Sequence, residues 1–244
     1  MTFLALTLVS GGLAGAFLGT INLALVEPSI DKAVGYEVQR DILSGQRVDP
    51  IELGQYRDWQ KSGEVISAII LGISLAALFA IVFAYSRKSL PFSSHIKKAL
   101  VLAGTMWFVL FFITALKYPP NPPGVGSSDT LFYRQFLFVS FVLISGAGAL
   151  GSFLLHRKVS NNQSLLQSKL VIPVIYSGII ICAYIGLPNN PDSVPQSLTY
   201  LVLNFRIASV FTLAMYWVAL GVIFGVLWEK FKPHQERSDR ITTL

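Results

Sequence analysis

Lys117-Tyr118-Pro119-Pro120-Asn121-Pro122-Pro123-Gly124-Val125-Gly126 stands between two apolar stretches, Ala99–Leu116 and Phe136–Leu155. Each stretch is close to the roughly 20 residues that a helix needs to cross ~30 Å of hydrocarbon. The prolines at 119, 120, 122 and 123 remove backbone donors and disfavour helix, so the connection is stiff and largely extended. A floppy polar loop would join two membrane helices equally well. A turn ordered by its own covalent chemistry points to a connector whose shape matters, and its plainest reading is a rigid hairpin.

Outward from this turn the pattern repeats. Phe3–Val26, Val65–Tyr85, Leu170–Leu187 and Ile207–Trp228 also lack charge over membrane-spanning lengths, which makes six such segments. The chain is 53% hydrophobic and 13% charged, with a mean hydropathy of +0.59. A soluble protein of 244 residues could not keep so much apolar surface from water. The expected fold is an all-α polytopic membrane protein, a bundle of about six transmembrane helices in a single integral domain over 1–244. Met1–Val26 carries no Lys or Arg, so it reads as a retained first span rather than a cleaved signal peptide.

Small residues recur at four-residue spacing within the spans: Gly11, Gly15 and Gly19 in the first, Gly72, Ala76, Ala80 and Ala84 in the second. Such faces let helices approach closely, and packing inside the chain is the favoured use. Between the first two spans, Ile30, Val34, Val38 and Ile42 predict a short amphipathic helix on the membrane surface, ended by Ser44-Gly45. Asp49-Pro50-Ile51-Glu52 predicts the start of a second short helix through Trp59.

Charge sets the expected orientation. The loops after spans two and four and the tail hold Arg87, Lys88, Lys97, Lys98, Arg157, Lys158, Lys169, Lys230, Lys232, Arg237 and Arg240. The loops after spans three and five hold only Lys117, Arg134 and Arg206. The positive-inside rule therefore places both termini in the cytoplasm, with 27–64 an extracytoplasmic loop and 229–244 a cytoplasmic tail. Ten of the thirteen carboxylates then fall outside, so the net charge of +6 belongs to the cytoplasmic face and its lipids, not to nucleic acid.

An acidic outer surface over a helical bundle would concentrate cations at the mouth of a pathway; acidic residues also simply accumulate in translocated loops. Five charges sit at the outer membrane border: Glu27, Asp31, Lys117, Arg134 and Arg206. Charge so near hydrocarbon is costly unless paired, so ion pairs among them are expected, with Glu27 and Asp31 also a candidate metal vestibule. Arginine at a helix N-terminus opposes the macrodipole, which assigns Arg134 and Arg206 to Glu27 and Asp31 as partners. Two outer turns also resemble each other. Pro120-Asn121-Pro122-Pro123 leads to Phe132-Tyr133-Arg134, and Pro188-Asn189-Asn190-Pro191 leads to Asn204-Phe205-Arg206, as in a duplicated hairpin. Lys117, Asn121, Arg134, Asn189 and Arg206 are accordingly the candidate structural or gating residues.

Catalytic chemistry is not expected. His95, His156 and His234 fall on the side opposite the acidic loops, so no Ser-His-Asp arrangement can be drawn. No zinc spacing or phosphate-binding glycine loop is present, and Cys182 reads as a small packing residue.

Glu27-Pro28-Ser29-Ile30-Asp31, the Lys117–Gly126 turn, Phe205-Arg206-Ile207-Ala208-Ser209 and Trp217-Val218-Ala219-Leu220-Gly221-Val222-Ile223-Phe224-Gly225 resemble the CbtA family. The resemblance spans nearly the whole chain in order. It implies a membrane subunit of a transporter for a divalent cation, cobalt, often for cobalamin synthesis, with Co²⁺ as substrate and no permanently bound cofactor. It also implies a small single-span, histidine-bearing partner of the CbtB type. Members often carry histidines in the first outer loop, and this loop has none; they are often described with five spans, where six are counted here. The other reading of the residues is a non-transporting scaffold subunit of a larger membrane complex.

Overall fold

The computed structural model describes residues 1–159 and 165–232, with side chains over 1–155 and 172–232. Helix α1 spans Phe3–Leu25 and begins where the Thr2 hydroxyl accepts a hydrogen bond from the Ala5 N–H at 3.3 Å. Only Val26 separates it from α2, Glu27–Leu43, whose Pro28 lies in the first turn, where a missing N–H costs nothing. Gly45, at φ 84°, ends α2 in a left-handed turn that favours glycine.

The Asp49 carboxylate then accepts from the Ile51 N–H at 2.8 Å and opens α3, Pro50–Ser86. Here the structure departs from the expected short second helix. The start at Asp49-Pro50 is where the sequence puts it, but the helix does not stop at Trp59. A lone Gly63 costs about 1 kcal/mol in a helix interior, too little to break it, and no proline follows before Val65. The extramembrane helix and the second span are therefore one rod of 37 residues, ~55 Å long.

Helix α4, His95–Trp107, continues through a π-helical turn, Phe108–Phe112, into α5, Ile113–Lys117. Single 3₁₀ turns, Ser128–Thr130 and Gln196–Leu198, lead into α6, Leu131–Val159, and α8, Thr199–Phe231; α7 is Leu165–Gly186. Among the described residues, five helical stretches are long and apolar enough to cross a membrane: Phe3–Leu25, Pro50–Ser86, His95–Lys117, Ser128–Leu155 and Gln196–Phe231. The sixth expected segment lies within α7, where Ile172–Gly186 is apolar among the residues whose side chains are described. The fold is an all-helical polytopic membrane bundle.

The small residues are spent on contacts within the chain. A Cβ at Gly15 would lie 2.5 Å from the Ala68 carbonyl oxygen, one at Gly11 2.7 Å from the Ala76 Cβ, and one at Gly72 2.6 Å from the Gly11 carbonyl oxygen. Helices α1 and α3 thus touch backbone to backbone. The Tyr216 hydroxyl of α8 donates to the Gly72 carbonyl at 2.8 Å in the same buried layer. Gly225 seats α8 against Ile96 of α4, and Gly148 seats α6 against Ile179 of α7. Cys182 is exposed on α7 rather than packed.

The π turn has a visible use. Its wider winding lets the Val109 carbonyl accept from the Ser145 hydroxyl of α6 at 2.5 Å, and that hydroxyl also pairs with the Tyr176 hydroxyl of α7 at 2.8 Å. At the Ser94 end of the bundle, Glu229 of α8 accepts from the Ser94 hydroxyl at 2.9 Å and the His95 N–H at 2.7 Å, capping α4 with an anion.

Candidate functional site

All the border residues singled out above gather at the opposite end, where the α1–α2 junction, the proline turn and the α7–α8 connection meet. They form two separate constellations.

The first joins α2 to α3. Arg57 holds the buried Glu27 in an ion pair and reaches the Asp31 Oδ1 at 3.0 Å with the same Nη2. Lys61 donates to the Asp31 Oδ2 at 3.0 Å and stands 4.0 Å from Glu27. Burial pushes the Asp31 carboxyl up, but hydrogen bonds and charge from Lys61 and Arg57 outweigh it and hold the group below its ordinary value.

The second constellation is built on the proline turn. The Lys117 ammonium is buried; it donates to the Tyr184 carbonyl at 2.6 Å and the Asn189 Oδ1 at 3.2 Å, with the Tyr184 ring centroid 4.5 Å away. The Tyr118 hydroxyl donates to the Pro188 carbonyl at 2.5 Å. Arg206 donates through Nε to the Pro120 carbonyl at 3.2 Å and through Nη2 to the Asn121 Oδ1 at 2.7 Å. Arg134 pairs with the Asp192 Oδ2 at 3.0 Å and donates to the Ser127 carbonyl at 3.2 Å, while the Thr130 hydroxyl also donates to Asp192.

These contacts correct the expected pairing. Glu27 and Asp31 face Arg57 and Lys61, not Arg134 and Arg206, and among the described residues no ion pair joins any two of the five border charges. The reason is register. The glycine contacts draw α3 against α1, so the first outward turns of α3 stand beside the start of α2. Arg57 and Lys61 are four apart on α3, and Glu27 and Asp31 are four apart on α2; that matched spacing was the available signal.

The two similar turns prove to be reciprocally linked. Arg134, in the first turn of α6, binds Asp192 of the second connection; Arg206, two turns inside α8 rather than at its N-terminus, binds Asn121 of the first. Lys117 adds a third link from the first turn to Asn189. Two glycines of the proline turn, Gly124 at φ 76° and Gly126 at φ 101°, occupy the left-handed region. A Cβ at Gly124 would lie 2.7 Å from the Glu37 carboxylate, and one at Gly126 would collide with Asp192. The turn is thus shaped to receive side chains from both α2 and the α7–α8 connection. Among the described residues, no three His, Cys, Asp or Glu side chains converge as a metal-binding set.

With this geometry in place the chain can be set beside known proteins. A family model described as "Probable cobalt transporter subunit (CbtA)" matches residues 1–229. The chain belongs to the CbtA family. The match takes in every described helix nearly to its end, including both constellations. No curated protein and no solved structure matches the chain. As a CbtA protein it is a membrane subunit of a cobalt transporter, and the multi-pass bundle agrees with that place.

Proposed function

We propose that Co²⁺ approaches this CbtA protein at the acidic end of the bundle, over Glu27 and Asp31, and that this end faces outward with both termini in the cytoplasm. The observation that carries the reading is the Glu27–Arg57–Asp31–Lys61 cluster, in which carboxylates at the membrane border are held by cations of the same chain. A divalent ion could replace Arg57 or Lys61 at these oxygens, so the site would exchange one cation for another rather than desolvate a bare carboxylate. Cobalt favours nitrogen as well as oxygen ligands. A partner subunit bearing histidines, of the CbtB type, would supply the imidazoles, with Glu27 and Asp31 as an oxygen vestibule.

Lys117, Asn121, Arg134, Asn189 and Arg206 take a bracing role in this reading, holding the two hairpins in register around the entrance. The chain acts as one integral membrane domain.

The test is cobalt accumulation in cells carrying Glu27→Gln together with Asp31→Asn, with the protein level in the membrane followed in parallel. Lowered accumulation at unchanged protein level supports the entrance; unchanged accumulation refutes it. A scaffold role within the transporter is the second reading. It is favoured by the saturation of both carboxylates by Arg57 and Lys61, and by intramembrane hydroxyls, Tyr216 and Ser145, that are committed to helix–helix hydrogen bonds.

A further inference from the structure

Glu64 is the last residue of α3 before its apolar segment, Val65–Tyr85. The close contact of α1 and α3 reaches this level: a Cβ on Gly19 would lie 2.8 Å from the Val65 Cα. The antiparallel register that sets Gly11 against Ala76, Gly15 against Ala68 and Gly19 against Val65 places Glu64 beside the neutral side chain of Asn22, one turn further along α1. From α2 it faces Glu27, and along its own helix Arg57. Arg57 is already engaged by Glu27 and Asp31, and Lys61 by Asp31. The junction therefore holds three carboxylates, Glu27, Asp31 and Glu64, against two cations.

The second observation is independent of charge. The Asn22 Oδ1 is buried and has no hydrogen-bond donor among the described residues. A buried acceptor left without a donor keeps the cost of its lost hydration. The group beside it, an ionised carboxylate, has only acceptors and cannot relieve it.

We propose that Glu64 and Asn22 together form a proton-binding site at the membrane border. A proton from the adjoining water adds to the Glu64 carboxylate, and nothing else is consumed or released. The resulting carboxylic acid pairs with the carboxamide at two points. Its carbonyl oxygen accepts from the Asn22 Nδ2, and its new O–H donates to the Asn22 Oδ1, which fills the orphaned acceptor. The same proton brings the junction from one net negative charge to neutrality without breaking the Glu27–Arg57 pair. Burial, and after it the charge of Glu27, push the Glu64 carboxyl above its ordinary value, which agrees with the geometry. If the cation entrance proposed above is right, its attraction for Co²⁺ is then switched by pH; that link rests on the entrance reading, and the proton site does not.

Infrared difference spectroscopy of the purified protein on acidification tests the site. A protonated-carboxyl band should appear at higher pH than that of exposed carboxylates and vanish in Glu64→Gln. It should move to lower pH in Glu27→Gln, which removes the repelling charge and frees Arg57. Thermal stability gives a second readout. A carboxyl whose folded value is raised stabilises fully below its unfolded value, and that contribution is lost as pH rises through the folded value. Glu64→Gln, an isostere of the acid that can make both hydrogen bonds, should therefore abolish this loss and match or exceed the parent at neutral pH. A band indifferent to Glu64→Gln, titration together with exposed carboxylates, or a Glu64→Gln protein that is less stable at every pH or fails to fold would each overturn the proposal. If the spectroscopic and stability results hold while cobalt uptake keeps its pH dependence in Glu64→Gln, the entrance reading fails and the proton site stands.

Discussion

Arg206 reaches across from the second turn of α8 to donate to the Asn121 side chain at 2.7 Å, 85 residues away in sequence. Its counterpart Arg134 makes the opposite crossing to Asp192. Each hairpin is thus fastened by the arginine of the other, and the proline turn supplies the fixed oxygens. Hydrogen bonds to a charged group contribute about 1.5–3 kcal/mol. Arg206→Ala and Asn121→Ala should each lower the melting temperature in detergent, and the double variant should lose clearly less than their sum. Additive losses would show that the two side chains do not interact.

The α1–α3 contact makes a sharper comparison between two glycines of one helix. Gly15→Ala forces a Cβ to 2.5 Å from the Ala68 carbonyl oxygen, whereas a Cβ on Gly12 meets nothing within 4 Å. Overpacking of this kind costs about 1–3 kcal/mol. Gly15→Ala should melt well below the parent and Gly12→Ala close to it; equal effects would contradict the register described here.

Arg57 should prove more critical than either arginine first singled out by its position. Arg57→Ala takes from the buried Glu27 its closest counter-charge and leaves only Lys61 at 4.0 Å, a loss of up to about 3–5 kcal/mol for a broken buried pair. Adding Glu27→Gln should recover most of it, because no buried charge is then left alone. A double variant as unstable as Arg57→Ala would remove Glu27 as the partner.

Asp31 gives a pH signature at the same place. Its carboxyl is held below the ordinary value, so its stabilising contribution is present above the unfolded value and is lost as pH falls through the folded one. Asp31→Asn should flatten the acid limb of the melting-temperature profile and leave the alkaline limb unchanged. An unaltered acid limb would mean that Lys61 and Arg57 gain nothing from Asp31.

Orientation is checked by labelling. Cysteines introduced at the exposed Ser128 and Ser193 should react with an impermeant maleimide in intact cells, and one at the exposed Ser93 should react only after the membrane is opened. Labelling of Ser93→Cys in intact cells would reverse the assignment.

Much of the bundle was legible because it rests on local rules. Gly11, Gly15 and Gly19 announce a close-packing face by spacing alone, and Asp49-Pro50 announces a helix start. The need of Arg134 and Arg206 for partners was legible too, from the cost of unpaired charge at the membrane border, although α8 begins at Thr199 and leaves Arg206 inside the helix rather than at its N-terminus. Their choice of partner was not, because Asn121 and Asp192 become neighbours only when two distant turns fold against each other. The Glu27–Arg57 pair was hidden for a related reason: a helix read as ending at Trp59 gives no register for residue 57 against the span. The π turn was invisible, since Phe108-Val109-Leu110-Phe111-Phe112 contains no proline or glycine, and only Ser145 on another helix gives its freed carbonyl a purpose.

The unbroken course of α3 has a mechanical consequence. A helix of 37 residues anchored near its middle, where Gly72 lies against Gly11 and Gly15, is a lever with its fulcrum inside the membrane. Its extramembrane arm, tied to α2 through Arg57 and Lys61, carries the exposed, stacked Tyr56 and Trp59, and its other arm ends at Ser86. Because no hinge interrupts it, a sideways push on this aromatic pair, carried with α2, swings the far arm the opposite way. Whatever docks on Trp59 thereby gains leverage over the opposite face of the bilayer.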